Sequence, residues 1–294
     1  MSAWPELPSA RLRPTADTLH LMTQIVGKVR LARTPWLNHS WHVPLYVSAR
    51  GLATSLIPGG ETGLDMEFDF IAQTLVVRAS AGGERRVPLQ PGPMAGFYAQ
   101  VLDALASLGA PTRIGATPSE LPDPTPFARD LAPRSYDPDV AQSFWRALVQ
   151  IDRVFTRFRS RFLGKVSLVH FFWGGFDLAV TRFSGRRAPL HPGGVPHLSD
   201  AVTREAYSHE VSSVGFWPGG EGEPSFYAYA YPAPPGFAEA PVDPPAARFD
   251  AGLGEFLLPY EAVRTAADPD ETLLAFLQST YEAAADLGHW DRAE

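Results

Sequence analysis

The stretch Val169–Gly194, VHFFWGGFDLAVTRFSGRRAPLHPGG, decides how this chain is read. Up to Ser184 it is apolar and rich in β-branched and aromatic residues. Residues 166–174 and 177–184 therefore read as two core strands meeting at Gly174-Gly175. His170, Asp177 and Arg182 are set into those strands. From Gly185 the composition turns to Arg, Pro, Gly and His, which marks a shaped loop. A core strand pair opening into a long polar loop predicts a sheet whose rim carries the chemistry.

Working outward, the pattern repeats in coarse form. Upstream, Thr15–Ala32 has helical spacing, with Thr15 or Asp17 as its cap. Strands are expected over Trp41–Ala49 and Leu52–Ile57, with a hairpin at 66–72 and 74–80 turning near Gln73. An edge strand follows at 85–90, where Pro88 cannot donate to a ladder. A helix over Met94–Leu108 stops at Gly109, and 112–118 adds a last strand. Downstream, Asp139–Phe162 is an amphipathic helix with Phe144, Leu148, Ile151, Phe155 and Phe158 on one stripe. After the opening strands come a hairpin from His209 to Pro232, a strand at 254–264 and a closing helix over Pro269–Leu287. The second half is longer, chiefly in Gly185–Ser208 and Pro232–Leu253.

The expected fold is α+β, two similar halves, each a mainly antiparallel sheet with flanking helices, in the pattern of an internal duplication. The expected division is a first half over 1–117, a Pro-rich linker over 118–138, and a second half over 139–294 that carries the site.

Composition narrows the function. The chain of 294 residues has no cysteine. Thiol catalysis, disulfides, Fe–S clusters and thiolate zinc sites are excluded. A net charge of -7 argues against a broad basic face for nucleic acid. No apolar run approaches the ~18 residues of a membrane span, and the N-terminus has no signal-peptide pattern. A bacterial cytoplasmic protein is expected, with Ala, Pro, Gly and Arg abundant beside few Lys.

The segments TLHLMTQIVGKVRLA, HFFWGGFDLAVTRFSGRRAPLHPGG, REAYSHEVSSVGFWPGG and FLQSTYEAAADLG resemble a bacterial family of unknown function. The resemblance covers nearly the whole chain and supplies no activity or catalytic residue.

The site must be read from the residues. His170, Asp177, His209 and Glu210 are the candidate acid/base groups, since imidazoles and carboxylates move protons near neutral pH. His170 and His209 with either Asp177 or Glu210 also form a candidate divalent-metal set of two His and one carboxylate. Neither a helical His pair nor a compact metal signature supports it. Arg182 and Arg186 are candidate anchors for an anionic group. Trp173, Trp217 and His191 would shape the pocket. The plainer alternatives are a core histidine at 170, bonded to backbone or to Asp177, and an ordinary ion pair at 177 and 182. Five residues apart, Asp177 and Arg182 should point to opposite faces unless Gly174-Gly175 introduces a bulge. Tyr227, Tyr229 and Tyr231 alternate onto one face of a strand. No G-x-S-x-G elbow or phosphate-binding glycine loop is present. Two functions follow: an enzyme acting on a small polar or anionic substrate, with or without a metal, or a non-catalytic module binding a small molecule or protein.

Overall fold

Two antiparallel sheets make the framework of the computed structural model, which describes residues 3–219 and 222–291. The first is a meander of β1 (Tyr46–Val47), β2 (Gly51–Ala53), β3 (Leu64–Asp69), β4 (Thr74–Ala79) and β5 (Glu84–Pro88). The second runs in the order β10-β11-β9-β8-β7-β6. Its strands are β6 (His170–Phe172), β7 (Asp177–Arg187), β8 (His209–Trp217), β9 (Ser225–Tyr231), β10 (Arg248–Asp250) and β11 (Glu255–Pro259). The fold class is α+β, as expected. The sheets share antiparallel pairing and helical cover but differ in strand number and order.

A bridge joins them. Leu45 and Phe171 exchange two backbone hydrogen bonds, each 2.9 Å long. The edge strands β1 and β6 are thereby stitched together, and one hydrophobic core runs from Trp4 to Ala285.

Helix α1 (Ser9–Arg33) lies inside this core, buried on nearly every side from Thr15 to Arg30. That explains its lack of a single apolar stripe. It starts earlier than expected, and neither Thr15 nor Asp17 caps it. Thr15 instead accepts from the Asp137 N–H at 3.0 Å. Helices α3 (Pro138–Ser160) and α6 (Pro269–Leu287) begin alike. Asp137 and Asp268 accept from N–H groups of the first turn, and each is followed by proline, whose missing N–H costs nothing there. The α3 stripe is fully buried, with Phe144, Leu148, Ile151 and Phe155 each 0% exposed.

Other expectations shift. The early strand shrinks to Tyr46–Val47, because residues 38–40 form a tight turn with His39 left-handed at φ 58°. Residues 112–118 form no strand. The strand expected at 254–264 splits into β11 and the short helix α5 (Tyr260–Arg264). The Gly-rich turn expected after Trp217 runs into residues 220 and 221, which lie outside the described residues. Helix α2 (Met94–Ser107) and a short α4 (Asp200–Ala206), inside the Gly185–Ser208 segment, complete the set. Among the described residues, no helix is long and apolar enough to cross a membrane.

Candidate functional site

Strand parity divides the second sheet into two chemically different faces. On β7, Leu178, Val180 and Arg182 face the helices, and Asp177, Ala179, Thr181 and Phe183 face the other way. Cross-strand pairing continues the second set. Thr181 lies opposite Ser213, and Ser213 opposite Tyr229; Ala179 lies opposite Gly215, and Gly215 opposite Tyr227. Small residues thus floor a trough that tyrosines overhang.

Gly215 is required there. A Cβ on it would lie 2.3 Å from the Tyr227 hydroxyl. With only hydrogen in the way, the Tyr227 ring crosses Gly215 and its hydroxyl donates to Asp177. The Tyr207 hydroxyl donates to that of Tyr229 at 3.2 Å, closing the same face.

Above Asp177 is a cavity of about 750 Å³. Its wall comes from the end of α1 and the turn after it, residues 118–124, the β6–β7 turn, α4 and Tyr229. A smaller hollow of about 140 Å³ continues over Ala179 and Thr181, sharing Asp177, His39, Tyr207 and Tyr229 with the first. Gly174-Gly175 belongs to the tight β6–β7 turn, not to a bulge. The irregularity in β7 comes later, between Phe183 and Arg187. Asp177 and Arg182 accordingly point to opposite faces.

The turn is held from α1. Trp173 packs where Gly27 has no side chain and donates to the Val43 carbonyl at 3.0 Å. His20 Nε2 lies 2.8 Å from the Gly174 carbonyl oxygen. Gln24 grips the backbone of Ser119, and the next residue, Glu120, takes a left-handed backbone at φ 59°. Its carboxylate lies over Gly174, where a Cβ would be 2.0 Å from Oε1.

Glu120 and Asp177 both depart from ordinary carboxylate behaviour. Burial and then the charge of Asp177 push Glu120 up to about 7, with Lys28 pulling the other way. Burial pushes Asp177 up to about 6 against the hydrogen bond from Tyr227. Glu255 is a third member, raised to about 7 by burial, Asp177 and Asp250. Neighbouring carboxylates in a poorly solvated place resist ionising together. One can hold a proton near neutral pH while the other accepts one.

Of the residues singled out from sequence, Asp177, Trp173 and Tyr229 line the cavity. His170 faces the same side of the sheet but is 2% exposed under Trp41, Tyr46 and Phe172. It makes no hydrogen bond to Asp177; its Nδ1 is buried without a partner, and burial with nearby Arg30 and Arg159 pulls it down to about 3. His209 stands at the start of β8, 6.3 Å from the His39 ring. Glu210 is on the helix side, accepting from Ser184 and Arg186. Arg186 also donates to the Gly288 and His289 carbonyls and so caps α6. The set His170, His209 and Glu210 is therefore not assembled. Among the described residues, no group of three His, Asp or Glu could hold a metal ion.

Arg182 is 1% exposed, clasped by Phe158, Phe162 and Tyr281, and donates to the Phe158 carbonyl on the far face. His191 stacks on Tyr207 and accepts from the Gly193 N–H, while Trp217 is half exposed at the end of β8.

Sequence reasoning missed Glu120 and Glu255. Glu120 sits in PSELP, inside the segment read as a linker, where no periodicity singles it out. Glu255 had one signal: in GEFLLP, strand parity puts it on the face of Leu257, which pairs with Tyr227.

No curated protein and no solved structure matches the chain. A family model does, over residues 4–294. The chain belongs to the family of unknown function DUF5996.

Proposed function

We propose that the chain is an enzyme performing acid–base chemistry on a small polar molecule held in the cavity over Asp177. The observation that carries this reading is the pairing of Glu120 with Asp177. Two carboxylates, each lifted toward neutrality by burial and one also by the other's charge, face the same aromatic-walled space. Asp177, whose ionised form accepts the Tyr227 hydroxyl, takes the role of base, and Glu120 that of acid. Tyr227 orients Asp177, and Trp173 supports the turn between them. Arg182 and Arg186 are occupied elsewhere, which favours a neutral or cationic substrate over an anionic one. The cysteine-free composition supports a reducing compartment such as a bacterial cytoplasm, and the acidic net charge favours small-molecule over nucleic-acid partners.

The test is incubation of the purified protein with a bacterial metabolite extract, following masses lost and gained. Asp177→Asn and Glu120→Gln, each checked for intact folding, should slow conversion by about 10²–10⁴-fold. A second reading, non-catalytic binding, is favoured by the aromatic share of the wall. Stoichiometric retention of a metabolite with no product, unchanged in both variants, would establish it in place of the first.

A further inference from the structure

Among the described residues, every side chain lining the main cavity and the hollow beyond it is apolar, aromatic, uncharged polar, acidic or histidine, and neither space is lined by lysine or arginine. The cations nearby are engaged outside them. Lys28 donates to Ser119 Oγ at 2.7 Å and lies 5.6 Å from the Trp173 ring centre. Lys165 donates to His39 Nε2 at 2.9 Å and sits over the Phe183 ring. His39 directs Nδ1 toward the Ala206 carbonyl, and burial with the Lys165 charge lowers its pKa. The charged side chains of that lining are therefore acidic, and they stand beside aromatic rings, histidines, hydroxyls and aliphatic groups.

We propose that the ligand of this cavity is an organic cation, a compact amine whose nitrogen lies between Glu120 and Asp177 and whose apolar body lies among Trp36, Phe172, Tyr207 and Tyr229. This rests on reading the cavity as the functional site. Three physical arguments converge. An ammonium group removes the repulsion that opposes joint ionisation of the two carboxylates. Aromatic faces carry negative quadrupole density and attract cations, more strongly where water is excluded. An anion would meet the same carboxylates, and Lys28, which acts on Glu120, is already bonded to Ser119, so the lining also selects against it. A neutral alcohol could hydrogen-bond to Asp177 but would leave the repulsion in place.

The charged and titratable groups facing the pair set the expected pH response. Asp177 meets Tyr227 from β9, Glu255 from β11 and Glu120 from residues 118–124; Glu120 also meets Lys28 from α1. All three carboxylates lose their charge as pH falls, so attraction for a cation should weaken toward acid.

Three probes of matched size separate the possibilities: 2-phenylethylamine, 2-phenylethanol and 3-phenylpropanoate, titrated into the full chain with binding read by calorimetry and ligand-observed NMR. At about pH 8 the amine should bind at least about tenfold more tightly than the alcohol, with the propanoate weakest. Moving to about pH 5 should weaken the amine about tenfold and leave the alcohol unchanged. Asp177→Asn should bring amine and alcohol to within about threefold of each other while alcohol binding persists, which also reports an intact cavity.

The proposal is overturned if the alcohol or the propanoate matches the amine. It is equally overturned if the amine fails to bind at millimolar concentration, or if its advantage survives both Asp177→Asn and Glu120→Gln. Failure of the catalytic reading looks different: the amine binds with the expected preference, yet no amine in an extract is converted. Conversion of a neutral or anionic metabolite would sink the cation proposal and leave acid–base catalysis standing.

Discussion

The side-chain amide of Gln24 closes on both backbone polar groups of Ser119. Its Oε1 accepts from the Ser119 N–H at 2.7 Å, and its Nε2 donates to the Ser119 carbonyl at 2.8 Å. Gln24 is 0% exposed, so it replaces a strand neighbour that residues 118–121 do not have. Through this grip α1 sets the position of Glu120 above Gly174. Gln24→Leu should strip both Ser119 groups of their partner and destabilise the protein by about 2–4 kcal/mol. The pH profile of binding or turnover should lose the contribution of Glu120, a change that thermal melting alone does not report. A profile identical to wild type in the folded variant would show that Glu120 is held by other contacts.

Asp177→Asn should stabilise the protein at neutral pH. Asp177 is raised from an ordinary value near 3.8 to about 6, so the native state binds more protons than the unfolded state between those values. Stability therefore falls as pH rises through that window. Asparagine removes the charge and keeps an oxygen for the Tyr227 hydroxyl. Thermal unfolding should show the variant melting a few degrees higher at about pH 8 and level with wild type at about pH 4. The same gain at both pH values would contradict a titration origin.

His170 has the opposite sign. Its pKa falls from 6.5 to about 3 in the native state, so below 6.5 the unfolded chain binds the extra proton and stability drops with pH. His170→Phe keeps a ring among Trp41, Tyr46 and Phe172 and removes the titration. Denaturant unfolding should give a shallower loss of stability between about pH 6.5 and 4 than in wild type. Equal slopes would mean that His20, His39 and His42, all also lowered by burial, carry the acid response.

Arg182 should matter for packing and not for ligand. Burial outweighs the nearby charge of Glu282 and lowers its pKa, and its Nε is buried unpaired. Arg182→Met fills the space among Phe158, Phe162 and Tyr281 without the buried charge and should change stability by less than about 1.5 kcal/mol. Arg182→Ala leaves a void and should cost about 2–5 kcal/mol. Ligand binding should persist in both. Loss of binding in the folded Met variant would place the arginine's influence across the sheet.

Gly215→Ala should act through Tyr227. The new methyl would occupy the path of the ring, so the tyrosine must move and its hydrogen bond to Asp177 lengthen or break. That bond favours the ionised carboxylate, so its loss should push Asp177 further up. A pH titration of binding should show its acidic limb moving to higher pH, and an unmoved limb would show that Tyr227 does not govern it.

Much of this architecture was legible in local sequence. The Asp-Pro pairs at 137–138 and 268–269 announce the starts of α3 and α6, because a cap and a preset φ are properties of adjacent residues. The β3–β4 hairpin and the fully buried α3 stripe follow from periodicity. Parity alone sends Asp177 and Arg182 to opposite faces. The early strand is shorter than its sequence pattern predicts because the left-handed turn at His39, held against Lys165 and Ala206, depends on contacts from distant segments.

The cavity depends on such contacts throughout. Glu120, in a proline-rich run with no period, reaches Asp177 only because Gln24 of α1 grips Ser119. Glu255 bears on Asp177 because β11 pairs with β9. The two sheets meet through a bridge between Leu45 and Phe171. Which residues face a core follows from period and neighbours along the chain. Which carboxylates share a space follows from long-range contacts, because a pKa answers to burial and charge at close range whatever the separation in sequence.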